Sequence, residues 1–214
     1  MANRTYHDRC GIARALDAVG DRWALLVVRE LLLGPKRFTD LRTGLPRVSP
    51  DVLAQRLREL EDDGVVRRDH LPPPAASHVY ELTDRGRELE PVILALGRWG
   101  SREPANDGPL GPDAAVIALM TMFEGELEGT YELRLDGHVF TLRAADGRLD
   151  PVRGPATNPT ATIEGRPGAL ASVLWHGADR GQLAITGDAR PFLRAFTPPG
   201  RRADTARAPR GTRA

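Results

Sequence analysis

Gln55 and Arg56 stand side by side in a stretch that carries Asp51, Arg58 and Glu59 on one side and Leu53, Leu57 and Leu60 on the other. Their side chains suit nucleic acid: glutamine offers a donor and an acceptor to adenine, and arginine can pair with guanine or with a phosphate. At helical spacing the leucines form an inward stripe and leave the polar groups outside. Ser49-Pro50 opens the stretch, with serine as N-cap and proline at the first helical position. Ser49 and the free N–H groups of such a helix start suit a phosphate. Lys36, Arg37 and Arg47 precede the helix, and Arg67, Arg68 and His78 follow it in two short extended runs, placed to grip flanking phosphates or a minor groove. These residues together, with Asp51, are the expected duplex-DNA surface. For Gln55 or Arg56 taken singly, the alternative is an ordinary amphipathic helix with a solvated charged face.

The elements that must hold this surface can be read from the flanking pattern. Ile12, Leu16 and Val19 recur at helical spacing. Asp21 is a candidate cap for a second helix, in which Trp23, Leu26, Val27, Leu31 and Leu32 form a broad apolar face and Gly34-Pro35 stops the chain. Phe38 and Leu41 suggest a short third helix ended by Gly44-Leu45-Pro46. The Ser49 helix runs to Asp62 or Asp63, with Gly64 ending it. Two strands follow, over Val65–Arg68 and His78–Leu82, joined by a proline-rich loop over Leu71–Ser77. Thr83 then caps a helix that continues through Leu89, Val92, Ile93 and Leu96 to Trp99. The order is that of a winged helix-turn-helix.

Composition fits a globular protein, with 41% hydrophobic and 28% charged residues in 214. The net charge of +1 supplies no bulk attraction to nucleic acid, so a DNA surface must come from local clustering. The basic residues are almost all arginine, as in proteins of GC-rich genomes. No apolar run approaches the roughly 18 residues of a membrane span, and the N-terminus lacks a signal-peptide pattern. A cytoplasmic location is the expectation. A single cysteine, Cys10, excludes an internal disulfide and makes a cysteine-based metal site implausible. Three prolines and two glycines between Glu103 and Pro112 mark a linker. The expected plan is α+β: residues 1–102 as DNA-binding domain, 103–112 as linker, 113–197 as a second α+β domain and 198–214 as a disordered, arginine-rich tail.

Gly20-Asp21-Arg22-Trp23, Leu32–Leu41, Leu53–Gly64 and Tyr80–Gly86, following Cys10 and the first helix, resemble the HxlR family of bacterial regulators over about residues 8–100. The wing sequence Ala75-Ala76-Ser77-His78 departs from the shorter, more regular wing of that family. The resemblance implies a transcriptional regulator, with repression as the expected sign. It also implies a homodimer packed through the first helix and the helix ending at Trp99, and a palindrome-like operator with reading helices about 34–36 Å apart. Some members of the family sense oxidants through an N-terminal cysteine at a position like that of Cys10. Cys10 precedes a helix, where thiolates are favoured; a small packing residue is the competing reading.

The second half changes character. An apolar helix over Ala115–Phe123 leads into strands at Tyr131–Leu135, Val139–Leu142 and Ala161–Gly165, with hairpin turns at Asp136-Gly137 and Asp146-Gly147. A helix through Leu170–Trp175, a strand over Leu183–Asp188 and a closing helix from Phe192 to Phe196 complete it. Leu135-Asp136-Gly137, Thr162–Gly165, Ile185–Asp188 and Phe192–Phe196 resemble the sterol-carrier-protein fold. That resemblance implies an apolar cavity, with Met120, Met122, Phe123, Leu174, Trp175, Phe192 and Phe196 as candidates to line it for a hydrophobic small molecule; plain core packing is the alternative. His138, His176 and Ser172 lack partners at a recognised catalytic or metal-binding spacing, so neither enzyme activity nor a cofactor is expected. A lipid carrier with a helical dimerisation module is the competing function.

Overall fold

The computed structural model describes residues 5–70, 77–102 and 108–196. The chain forms two compact units that divide between Gly100 and Ser101. The expected linker core, the expected tail and most of the wing loop lie outside the described residues.

The first unit runs α1 (Gly11–Val19), α2 (Ala24–Leu31), α3 (Phe38–Gly44), α4 (Pro50–Asp62), a hairpin of β1 (Val66–His70) and β2 (His78–Leu82), α5 (Asp84–Arg87) and α6 (Glu90–Gly100). Its core takes Val27, Val28 and Leu31 from α2, Leu41 from α3, Leu53, Leu57 and Leu60 from α4, and Val66, Val79 and Leu82 from the hairpin. Backbone bonds between Lys36 and Tyr80, at 3.0 and 2.8 Å, tie the segment before α3 to the outer side of β2. The wing is thereby fixed to the same frame as the helices.

Two local expectations are corrected. Asp21 does not cap α2: the N-cap is Trp23, held at φ 81° with no side-chain cap, and the Asp21 carboxylate pairs with Arg56 instead. The helix after Thr83 is also not continuous. Pro91 has no N–H to offer the carbonyl of Arg87, so α5 ends and α6 begins with proline in its first turn.

The second unit contains α7 (Pro112–Met122), β3 (Gly129–Leu135), β4 (His138–Ala145), β5 (Arg148–Arg153), β6 (Ala161–Gly165), α8 (Pro167–Trp175), a 3-10 turn over Arg180–Gln182, β7 (Ala184–Gly187) and α9 (Arg190–Phe196). One five-stranded sheet has the order β5-β4-β3-β6-β7, with β3 and β6 parallel and the other pairs antiparallel. Strand alternation puts Tyr131, Leu133, Phe140, Leu142, Ala161 and Ile163 on one buried face. Tyr131 meets the Phe192 ring at 5.4 Å, which places α9 on that face. Strand β5 escaped the sequence reading because Pro151 interrupts it; it is an edge strand, where proline is tolerated.

The candidate ligand residues divide into two groups. Leu174, Phe192 and Phe196 are buried, and the Phe196 ring lies 4.8 Å from Phe192 and 5.9 Å from Phe123, so these aromatic rings pack on one another. Met120, Met122, Phe123 and Trp175 are half-buried. A shallow cleft of about 350 Å³ opens elsewhere, beside Ile185, Ala189 and Leu193.

Candidate nucleic-acid interface

The polar side of α4 is held outward by its leucines, of which Leu53 has no exposed area and Leu57 and Leu60 almost none. Ser49 Oγ accepts the Val52 N–H at 3.3 Å and closes the start of the helix. Its hydroxyl proton remains available to a phosphate oxygen. Asp51, Val52 and Arg58 are exposed. Gln55 sits among them, half-buried, with its Nε2 donating to Glu59 Oε1 at 2.9 Å. That bond orients the amide and is weak enough to exchange for a base.

Arg56 behaves differently from its neighbour. One residue further round the helix, it turns toward the start of α2, pairs with Asp21 and Glu59, and keeps only 12% of its side chain exposed. It braces α4 against the loop before α2 rather than presenting a free guanidinium. Arg58, three residues from Gln55, occupies the exposed position instead. The sequence pattern put Arg58 on the outer face but gave it no contact.

Lys36 is a second correction to the expected surface. It is buried, with Nζ 2.6 Å from Glu30 Oε2, while Arg29 reaches Glu30 Oε1 at 2.7 Å. Burial alone would raise the Glu30 carboxyl; Lys36 and Arg29 outweigh it and hold the carboxyl below its ordinary range. A Cβ on Gly44, the last residue of α3, would come within 2.2 Å of Glu30 Oε2. The carboxylate thus fills the space under the turn that aims α4. A lone acid inside Val27-Val28-Arg29-Glu30-Leu31, followed by the chain's single lysine, was the signal for this pair.

Around α4 the exposed cations are Arg37, Arg42 and Arg47. On the wing, Arg67 is 60% exposed and bonds Glu81 at 2.6 Å through Nε. That hydrogen bond and the Glu81 charge raise the Arg67 pKa. Arg68 and His78 are exposed on the other face of the hairpin. The end of α4 away from Ser49 is acidic: Glu59, Asp62 and the C-cap Asp63 face an open groove of about 1160 Å³ with Asp17 and Asp21, and Gln55, Arg56 and Arg58 line the same groove. Phosphates are disfavoured at the acidic C-terminal end, beyond Arg58, and favoured toward Ser49.

The HxlR-like helix-turn-helix family matches residues 18–107. The uncharacterized HTH-type transcriptional regulator YvaP of Bacillus subtilis (strain 168) is 40% identical over 88 residues, which span 41% of this chain and 82% of that protein. The chain belongs to the HxlR-like family. It is a DNA-binding transcriptional regulator. A second relative, the uncharacterized regulator sll1512 of Synechocystis sp. (strain ATCC 27184 / PCC 6803 / Kazusa), is 40% identical over 92 residues, 43% of this chain and 68% of its own length. The structure of the redox regulator HypR in its oxidized form aligns at 34% identity and a TM-score of 0.41, over 45% of this chain and 100% of that one. The HxlR-like match ends before α7 begins. Among the described residues, no helix is long and apolar enough to cross a membrane and no group of three or more His, Cys, Asp and Glu is placed to hold a metal ion.

Proposed function

We propose that the HxlR-like unit binds a palindrome-like operator as a homodimer and acts as a repressor, with the Ser49 end of α4 in the major groove. The observation that carries this reading is the bare polar face of α4 at its capped end, flanked by exposed Arg37, Arg42 and Arg47. Gln55 would read an adenine edge; Arg58 and Ser49 would hold phosphates; Asp51 would exclude phosphate from its own position. Arg67, Arg68 and His78 would contact the backbone beside the site. Homodimerisation is supported by two exposed apolar stripes, Ile12 and Leu16 on α1 and Val92, Leu96 and Trp99 on α6. The exposed thiol of Cys10, at the N-cap of α1, is the candidate for oxidant sensing.

Footprinting on the DNA upstream of the protein's own gene tests the reading. A protected inverted repeat with steep loss of affinity as salt rises supports it. Equal affinity for that DNA and for random duplex refutes it.

For the second unit, the one-sided sheet with α7, α8 and α9 supports a sterol-carrier-like domain, and half-buried Met120, Met122, Phe123 and Trp175 are the residues through which a hydrophobic ligand would enter. Quenching of Trp175 fluorescence by a long-chain lipophile tests this. An unchanged spectrum at saturating lipophile excludes it.

A further inference from the structure

His70 and His78 are directly opposed across the hairpin, forming the last register pair of β1 and β2. Their rings lie 5.0 Å apart between centroids and nearly perpendicular, at 83°. Both are exposed. Directly opposed residues of an antiparallel ladder project on the same face with Cβ atoms about 4.5–5.5 Å apart. Two imidazoles on Cβ atoms this close are within reach of a shared ion, for which each nitrogen would need a bond of about 2.0–2.1 Å.

We propose that this face of the wing is a two-histidine site for a borderline divalent cation such as Zn²⁺, Ni²⁺ or Cu²⁺. The donor set decides the class of ion: two imidazole nitrogens suit these cations, whereas Mg²⁺ and Ca²⁺ require oxygen ligands. Water completes the coordination, since the described residues bring no third protein ligand to the pair. The strand register, rather than the loop between the strands, sets the spacing. Among the described residues of the hairpin, the next pair on the same face is Arg68 and Tyr80, two register pairs inward from the histidines, with Asp69 and Val79 between them on the opposite face. The Arg68 charge opposes the cation, but both partners are solvated and the repulsion is screened. A bound ion would pin β1 and β2 together at the His70–His78 pair and place two positive charges on the wing.

The test is calorimetric titration of the full chain with ZnCl₂ and NiCl₂ at pH 7.5, in a Cys10→Ser background so that the thiol does not compete. One ion per chain is expected. Losing one imidazole removes the chelate, so His70→Ala and His78→Ala each weaken binding at least about tenfold, and the double variant is little worse than either single one. Circular dichroism checks that these exposed substitutions leave the fold intact. Absence of binding at 1 mM metal overturns the proposal and leaves the rings as an aromatic cross-strand pair. Undiminished affinity in both single variants also overturns it and moves the ion to His7, His138 or His176. Because no DNA is present, failure here is independent of the operator reading.

Discussion

Lys36 Nζ lies 2.6 Å from Glu30 Oε2, and both side chains are withdrawn from solvent beneath the turn that links α3 to α4. The backbone of Lys36 simultaneously pairs with Tyr80 in the wing. One residue therefore connects α2, the helix-turn-helix and the hairpin. Removing the acid leaves Lys36 and Arg29 without their shared counter-charge. Breaking a buried pair in this way costs about 3–5 kcal/mol, so Glu30→Gln should lower the urea midpoint and weaken operator binding together. Unchanged stability at neutral pH would show that the triad carries no structural weight.

The same pair sets an acid limit. The Glu30 carboxyl titrates below its ordinary value in the fold. Its stabilisation is therefore complete above the unfolded value of about 4.3 and is lost as pH falls through the lower folded value. Protonated glutamate resembles glutamine, so the stability gap between wild type and Glu30→Gln should close on acidification. Denaturant curves at pH 7 and in the acid range measure it; a gap that stays constant contradicts this assignment.

Gly44 tests the packing rather than the charge. Its Cβ would strike Glu30 Oε2, an oxygen that Lys36 holds in place and that cannot simply swing aside. Gly44→Ala should destabilise the unit by about 1–3 kcal/mol, as overpacking does. Glu30→Gln keeps the bulk and so should not rescue it, whereas Glu30→Ala removes the clash. Thermal unfolding of the single and double variants separates the two.

The helices, the Ser49 cap and the hairpin were legible in the sequence because periodicity and cap chemistry are local. Lys36 and Arg56 were misplaced because a basic side chain has the same sequence signature whether it faces water or an acid of its own fold. The partners that decide it are Glu30 and Asp21, and Asp21 is 35 residues from Arg56. A proline misled the reading twice: Pro91 divides a helix that looked continuous, and Pro151 hides an edge strand. The paired histidines were equally invisible, since only the register of β1 on β2 opposes them.

Arg56 and Arg58 should separate on substitution. Arg58 is exposed and bonds to nothing among the described residues, so Arg58→Ala should leave stability unchanged, weaken all duplexes and reduce the salt slope by about 1. Arg56→Ala should cost at most about 1 kcal/mol of stability, because its partners Asp21 and Glu59 are partly solvated. Its salt slope should match wild type. Fluorescence anisotropy across a salt series checks both; a reversed pattern would put Arg56 at the phosphate.

The apolar stripes yield the last prediction. Val92, Leu96 and Trp99 recur at i, i+4 and i+7 on α6 and are 50%, 48% and 67% exposed, and Ile12 and Leu16 lie one turn apart on α1. Exposing five large apolar side chains is unfavourable by roughly 25 cal/mol per Å² unless a second copy covers them. In the proposed homodimer, Leu96→Glu would place a charge in the middle of the α6 stripe without touching the core of the unit. It should shift sedimentation from dimer to monomer at micromolar concentration while leaving the circular dichroism spectrum intact. Operator affinity should fall by more than tenfold, since a monomer engages only one half-site. A wild-type chain that sediments as a monomer would remove the paired-helix geometry, while leaving the fold of each unit and the capped polar face of α4 unaffected.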